Sequence, residues 1–422
     1  MRGIARLPCG GGEAFGSDRT DPRAGKSLLA LKSEKITFRE TFVNIKKNSI
    51  GIVGSGIAGL AHAWAAARAG SEVTVFERGD KARGASVRNF GMVWPLGQPP
   101  DLYPVALRSR ELWLEFIAAA GIYHRPGGSV HAVDRDDEAA VLEEFARLGA
   151  DLGYECELWT RSTAEARCPG IRRGVTRAAL FSPAEINVDP REVLAVLPAF
   201  LAEKHGVRFH WSTAVTEAGS GWLRTGGGQK HAFDEIFVCS GHDFESLFPA
   251  VFAAAPLKPC KLQMLRTVPQ PGGWQLGPML ASGLTLRHYA NFEICPTLRA
   301  VKERIARESP ELDRFGIHVM ASQDRFGSIV LGDSHEYGRD IEIFDKAEID
   351  ELMLRELRRL YDFPDWTIAE RWHGIYAKNP GGAEFRAEPL PDVHIATGVG
   401  GSGMTMSFGL ADRFFTQRLT SV

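Results

Sequence analysis

The residues best suited to do chemistry begin at Ile50-Gly51-Ile52-Val53-Gly54-Ser55-Gly56-Ile57-Ala58-Gly59, a short apolar run ending in G-x-G-x-x-G. Glycines at these spacings suit a dinucleotide. Gly54 lets the chain turn sharply, Gly56 lets the backbone approach a pyrophosphate, and Gly59 lets a helix pack closely on the strand. The following segment places Ile57, Leu60, Ala61, Trp64 and Ala65 on one helical face, and its free N-terminal amides, at the positive end of the helix dipole, point at phosphates. Glu72-Val-Thr-Val-Phe-Glu77 then reads as a second strand ending in an acid. A carboxylate about twenty residues beyond the glycines accepts ribose hydroxyls and repels a 2′-phosphate, which selects FAD or NAD over NADP. A glycine turn with no ligand is the plainer reading of an isolated motif. Strand, helix, second strand and terminal acid together argue against it.

The choice between the two cofactors needs other residues. Gly84-Ala85-Ser86-Val87-Arg88-Asn89-Phe90-Gly91-Met92 has neither strand nor helix periodicity and reads as a loop that wraps a ligand. Arg88 in it suits a cofactor phosphate, a substrate anion or plain solvation equally well.

The elements that position these residues follow along the chain. Asp101 to Ala120 and Asp137 to Leu152 read as helices, Arg191 to Lys204 as a third, and Val207-Arg-Phe-His-Trp211 as a strand. Ala178-Ala-Leu-Phe-Ser-Pro183 and Val188-Asp-Pro190 lead the chain back toward the first region. Phe233 to Gly241 reads as a buried parallel-type strand ending in small residues, where a backbone closes over a cofactor. Residues 257–365 change character, with strand-like Gly316-Ile-His-Val-Met320 and Ser328-Ile-Val-Leu331 and two helices. One carries Leu298, Val301 and Ile305. The other carries Ile349, Leu352, Met353, Leu357 and Leu360 behind a capping-box-like Asp345 and Glu348. Asp392 to Gly398 is a last strand, followed by Val399-Gly-Gly-Ser-Gly403 and a helix through Met406, Leu410 and Phe414 whose N-terminus faces a second electronegative group.

Size and composition bound the rest. A chain of 422 residues with 44% hydrophobic content can build two cores. A net charge of -2 gives no reason to expect nucleic acid or an anionic membrane surface. Cys9, Cys156, Cys168, Cys239, Cys260 and Cys295 show no C-x-x-C spacing, so neither a disulfide framework nor a metal site is expected, and a reducing cytoplasm fits. No apolar run of about eighteen residues is present for a membrane span. Residues 1–47 read as a disordered extension.

An N-terminal G-x-G-x-x-G, a mid-chain Val238-Cys-Ser-Gly241 and a C-terminal Thr397-Gly-Val-Gly-Gly-Ser-Gly-Met404 together resemble the D-amino-acid oxidase, glycine oxidase and sarcosine oxidase superfamily, over about residues 49 to 420. The resemblance implies an α/β fold: a Rossmann-type FAD-binding domain, discontinuous in sequence (48–120, 172–256 and 366–422), and a second mixed-sheet α+β substrate domain (121–171 and 257–365). It implies non-covalent FAD held by Gly54, Ser55, Gly56, Ile57, Ala58, Gly59, Glu77, Arg78, Ala85, Ser86, Arg88, Asn89, Phe90, Gly91, Met92, Val215, Ser240, Gly241, Gly400, Gly401, Ser402, Gly403, Met404 and Thr405. Gly84 to Pro95, Thr285-Leu-Arg-His-Tyr289 and Gly332-Asp-Ser-His-Glu-Tyr337 further resemble a bacterial subgroup associated with aminophosphonate degradation.

One departure bears on substrate. Amino-acid oxidases of the superfamily carry W-x-G-x-R-P, with the arginine gripping a carboxylate, whereas this chain reads Trp372-His-Gly-Ile-Tyr376-Ala377. Gly401 likewise stands where glycine oxidase has an arginine. A phosphonate, with up to two charges and three acceptor oxygens, calls for several donors in place of one planar fork. Arg287, His288, Tyr289, His335, Tyr337, Tyr376 and Lys378 are the candidates, with Tyr376 and His335 foremost; packing is the competing role for any single His or Tyr. The expected reaction is hydride transfer from the carbon bearing a neutral amine to the flavin, then hydrolysis of the iminium, with no dedicated acid or base. The amine substrate is then 2-aminoethylphosphonate or its N-methyl derivative, and oxygen reoxidises the flavin. A dehydrogenase using a quinone or carrier, a hydroxy-acid oxidase and a non-catalytic flavoprotein are the competing readings.

Overall fold

The computed structural model describes residues 47–420, so the expected N-terminal extension falls, apart from Lys47, outside the described residues. Five strands of one sheet run parallel or nearly so around the apolar Ser49–Val53 strand, in the order Val393–Thr397, Glu235–Val238, Ser49–Val53, Glu72–Phe76 and Arg208–His210; Phe385–Leu390 adds an antiparallel edge. Ile52 pairs with Val75 on one side and Phe237 on the other. Such a strand, flanked on both sides, reads as a continuous apolar run because both of its faces are covered.

The covering helices are Ile57–Arg68, Tyr103–Ala120, Pro190–His205 and Gly403–Thr420. Burial on Ile57–Arg68 extends beyond the expected face to His62, Ala63 and Ala66, because the Gly403–Thr420 and Pro190–His205 helices close over its other side. Trp64 fills that contact, edge-on to Phe408 at 5.1 Å and Phe200 at 5.9 Å, with its indole N–H donating to His205 Nε2 at 3.1 Å.

The second sheet has nine strands and is mixed, with Lys258–Pro269 pairing with Ser328–Gly332, Glu336–Tyr337 and Ile368–Lys378. Helices Asp136–Asp151, Leu298–Glu308 and Ala347–Leu360 supply apolar stripes to its core, which holds Phe145, Phe292, Val301 and Leu357. Two stretches that the sequence places with the cofactor region, Ala178–Ser182 and Ile368–Lys378, are strands of this sheet instead. Their apolar periodicity is the same for either sheet, and only the partner strand decides.

Two smaller expectations also change. Regular strand begins at Met320, not Gly316, because Gly316 takes a positive φ and Ile317 N–H donates back to Leu312 O at 2.7 Å, closing off the preceding short helix. Asp345 does not cap the Ala347–Leu360 helix. Its Oδ1 lies 2.9 Å from Nζ of Lys261, an ammonium buried to 1% exposure, and 2.8 Å from His373 Nδ1. A buried cation holds a nearby carboxylate more strongly than an exposed helix end does. Among the described residues no helix is long and apolar enough to cross a membrane, and Cys156, Cys168, Cys239, Cys260 and Cys295 are free.

Two buried histidines make stability depend on pH. Burial lowers both His62 and His131 from the ordinary 6.5 to about 3, with Arg386 adding to the effect on His62. The folded chain therefore refuses protons that the unfolded chain takes up below pH 6.5. Stability is full above that value and falls toward pH 3 by up to about 1.4 kcal/mol per pH unit for each group. Urea midpoints should fall from pH 7 to pH 5, and His131→Met, which removes one such group from between Trp94 and Phe292, should make that fall shallower.

Candidate functional site

A cavity of about 1210 Å³ opens at the C-terminal end of the Ser49–Val53 strand and runs to the face of the second sheet. It exceeds the roughly 300–1,000 Å³ of an ordinary small-molecule pocket, leaving room for a dinucleotide and a substrate together. Gly54 makes the turn at its edge with φ +100°, and a Cβ there would meet the Cys239 carbonyl oxygen at 2.5 Å. A Cβ at Gly59 would meet the Gly54 carbonyl oxygen at 1.9 Å, so the helix can approach the strand only without a side chain there. Its N-terminus has no side-chain cap at Gly56, while Ile57 N–H donates to Ser86 Oγ at 3.0 Å.

Glu77 lines the cavity with its carboxylate oriented by the chain itself: Oε2 accepts from Ser55 N and Oγ, both at 2.9 Å, and Oε1 accepts from Gly79 N at 2.9 Å. Asn89 closes the 84–92 loop, donating to the Ala85 and Ser86 carbonyls and accepting from Gly91 N. Arg88 ties that loop to the Ile368–Lys378 strand, donating to the His373 carbonyl at 3.0 Å, while Trp372 Nε1 donates to the Arg88 carbonyl. Arg78, Ala85, Phe90, Met92, Val215, Ser240, Gly241 and the Gly400–Thr405 turn also line the cavity. Ser55, Gly59 and Gly91 stand behind the lining. Ser55 is buried against Glu77, and Gly91 packs on the Val188 carbonyl, which a Cβ would meet at 1.9 Å.

The residues with the chemistry for a cofactor thus line one cavity, and the glycine-lined approach fits the pyrophosphate of FAD, since a Cβ at Gly56 would meet only Ser86 Oγ, at 3.2 Å, and would occupy the open space where the pyrophosphate approaches.

The inner end is polar and aromatic. Tyr289, His335, Tyr337, Tyr376 and Lys378 line it, joined by His288, His318, Met320 and Asp333. Tyr289 stacks on Trp94, with centroids 6.1 Å apart, and donates to Met320 Sδ. Burial pushes the Tyr289 and Tyr376 hydroxyls up, so both stay neutral donors. Tyr376 lies on the Ile368–Lys378 strand opposite Cys260, and a Cβ at Gly401 would sit 3.7 Å from its hydroxyl oxygen. The two positions that depart from the amino-acid oxidase pattern are therefore neighbours. Tyr337, 53% exposed, stands at the rim.

Arg287 does not reach the cavity. Its guanidinium is 3.0 Å from Asp313 Oδ1, donates to the Ile317 carbonyl at 2.8 Å and lies 2.9 Å from His288 Nε2. The Pro310–Arg314 helix presents Asp313 to it, a partner the local sequence does not announce. His335 is half-buried and lines the cavity, and burial lowers it to about 4. His318 and Asp333 escape a reading by sequence because they lie fifteen residues apart and meet only through strand pairing, their backbone groups exchanging hydrogen bonds at 3.2 and 2.8 Å. No short-range spacing signals that pair.

Replacing Gly56 by Leu should abolish cofactor retention, read as loss of flavin absorbance in the purified folded protein. The wild-type protein should be yellow and release its flavin into the supernatant on acid precipitation.

Comparison with known proteins agrees with this geometry. Residues 49–415 match the family described as FAD dependent oxidoreductase (DAO). A putative thiamine biosynthesis oxidoreductase ThiO of Rhizobium etli is 35% identical over 153 residues, 36% of this chain and 45% of that protein. A glycine oxidase of Pseudomonas aeruginosa is 30% identical over 233 residues, 51% of this chain and 61% of its own. The matches thus span about half of the relatives' length. The crystal structure of an L-proline dehydrogenase from P. horikoshii has the same fold, with a TM-score of 0.70 at 22% identity over 89% of this chain and 94% of that one. With the family matched over most of its length and the cofactor cradle built where that family requires it, the chain belongs to the DAO family of FAD-dependent oxidoreductases.

Proposed function

We propose that this enzyme oxidises the C–N bond of a small amino-acid-like amine, and that the amine is an aminophosphonate: 2-aminoethylphosphonate or its N-methyl derivative. The products are phosphonoacetaldehyde and ammonia or methylamine, with oxygen reduced to hydrogen peroxide. The similarity to proteins named glycine oxidase and ThiO supports an amine substrate. The adjacency of Tyr376 and Gly401 carries the choice of acid group, since both places where the superfamily sets a carboxylate-gripping arginine hold none.

FAD, when bound, supplies the two-electron acceptance. The chain's residues bind, orient and shield. Tyr289 stacked on Trp94 gives the cavity a flat aromatic wall that would exclude water from a bound substrate. Tyr376, held neutral by burial, donates a hydrogen bond without adding charge, and Lys378 contributes a cation from the end of the same strand. The Gly400–Ser402 turn and the start of the Gly403–Thr420 helix line the cavity, so the positive end of that helix dipole would stabilise negative charge developing there. Release of the amine follows attack of water on the substrate iminium and needs no side-chain nucleophile.

Anaerobic mixing with glycine, sarcosine, D-alanine, 2-aminoethylphosphonate and its N-methyl derivative, followed by flavin absorbance, tests the reading. Bleaching should be fastest with an aminophosphonate, and sarcosine turnover as fast would overturn the assignment. His335→Ala should lower kcat/KM about ten- to a hundred-fold, roughly 1.5–3 kcal/mol, with FAD content unchanged. Arg287→Ala should act more weakly, through the position of His288. Peroxide formation measured against reduction of a dye separates an oxidase from a dehydrogenase.

A further inference from the structure

We propose that His288, His318 and His335 form a binding site for a divalent transition-metal ion of the zinc class in the inner wall of the cavity. Their ligand nitrogens all lie within 4.8 Å of one another. Around a tetrahedral ion with Zn–N of about 2.0–2.1 Å such nitrogens stand about 3.3 Å apart, so the rings must close inward by less than about an ångström. The three rings are neighbours, near-parallel with centroids 4.3, 4.9 and 5.5 Å apart, so they must also rotate to bring their in-plane lone pairs onto one ion.

Two of the rings also have the supporting contacts that metal-binding histidines use. His318 Nε2 lies 2.8 Å from Asp333 Oδ1, an ion-pair distance without hydrogen-bond alignment, which places Asp333 to orient the imidazole once the ring turns onto an ion. Its other nitrogen, Nδ1, is buried with no hydrogen-bond partner, in a residue only 4% exposed. A lone pair kept from water costs free energy unless something occupies it. His335 places Nδ1 3.3 Å from the Gly316 carbonyl, which leaves Nε2 for an ion. Ligation through His288 Nε2 would require Arg287 Nη1 to give up its 2.9 Å contact there, and Asp313 Oδ1, 3.0 Å from the same Nη1, already holds that guanidinium.

An all-imidazole set suits zinc, iron(II), nickel or copper better than calcium or magnesium. Three protein ligands leave a fourth position, which opens on the cavity. The ion would hold an oxygen of whatever acid group the substrate carries, so the site stands independently of the phosphonate reading. It departs from the expectation of no metal drawn from the cysteine spacing, which could not register three histidines thirty and seventeen residues apart in the chain.

Metal content of the flavin-loaded enzyme, purified without chelator, should be about one ion per chain. After stripping with a chelator, titration with zinc chloride or with cobalt(II), read as a difference spectrum, should restore one site in the absence of any substrate. His335→Ala should lower the affinity for zinc at least about a hundred-fold, and Asp333→Asn about ten- to a hundred-fold, both with full flavin content. Should either variant lose its flavin, the wild-type titration decides alone. A flavin-loaded wild-type enzyme that takes up neither zinc nor cobalt, or variants that bind zinc as tightly as wild type, would overturn the site. Neither result touches the substrate panel, so this proposal and the phosphonate reading fail separately.

Discussion

The contact on which the cofactor side depends is the approach of the Ile57–Arg68 helix to the Ser49–Val53 strand. It is possible only because Gly59 offers no side chain to the Gly54 carbonyl. That closeness turns the helix N-terminus toward the cavity with Gly56 uncapped, and it places the turn between the flanking strands where a parallel sheet leaves a crevice. The Trp64 contacts hold the other side of the helix. Cofactor binding and core packing therefore share one helix, and a bulky residue at either glycine disturbs both.

The inner end depends on a different constraint, the register of the long Lys258–Pro269 strand. Because it pairs with Ile368–Lys378, Ser328–Gly332 and Glu336–Tyr337, it fixes Tyr376, Asp333, His335 and Tyr337 relative to one another although they come from separate parts of the chain. A slip of one residue would turn Tyr376 to the opposite face of the sheet. Lys261 and Asp345 clamp the neighbouring loop from below the same strand.

Electrostatically the two ends of the cavity differ. Near the glycines, charge is handled by backbone amides and a fixed carboxylate, Glu77, whose oxygens are already oriented. At the inner end burial raises the Tyr289 hydroxyl and lowers His335, while Asp333 is held below the usual carboxyl range: burial works against ionisation, but His318 and His335 outweigh it. A donor-rich wall suits a substrate that brings its own charge.

The cofactor frame was legible in the sequence because it rests on short-range rules. Gly54, Gly56, Gly59 and Glu77 act through spacings along one strand–turn–helix–strand unit, and the apolar runs at Glu235–Val238 and Val393–Thr397 announce a buried parallel sheet. The absence of arginine at positions 376 and 401 was legible in the same way. What the tertiary structure alone decided is which polar residues converge. It turned Arg287 out of the cavity by offering it Asp313, took Asp345 from its helix to pair with Lys261, moved Ala178–Ser182 and Ile368–Lys378 to the second sheet, and brought His318 and Asp333 to His288 and His335. Each of these outcomes is set by long-range strand pairing or by competition among buried charges, and neither leaves a periodic trace in a single chain.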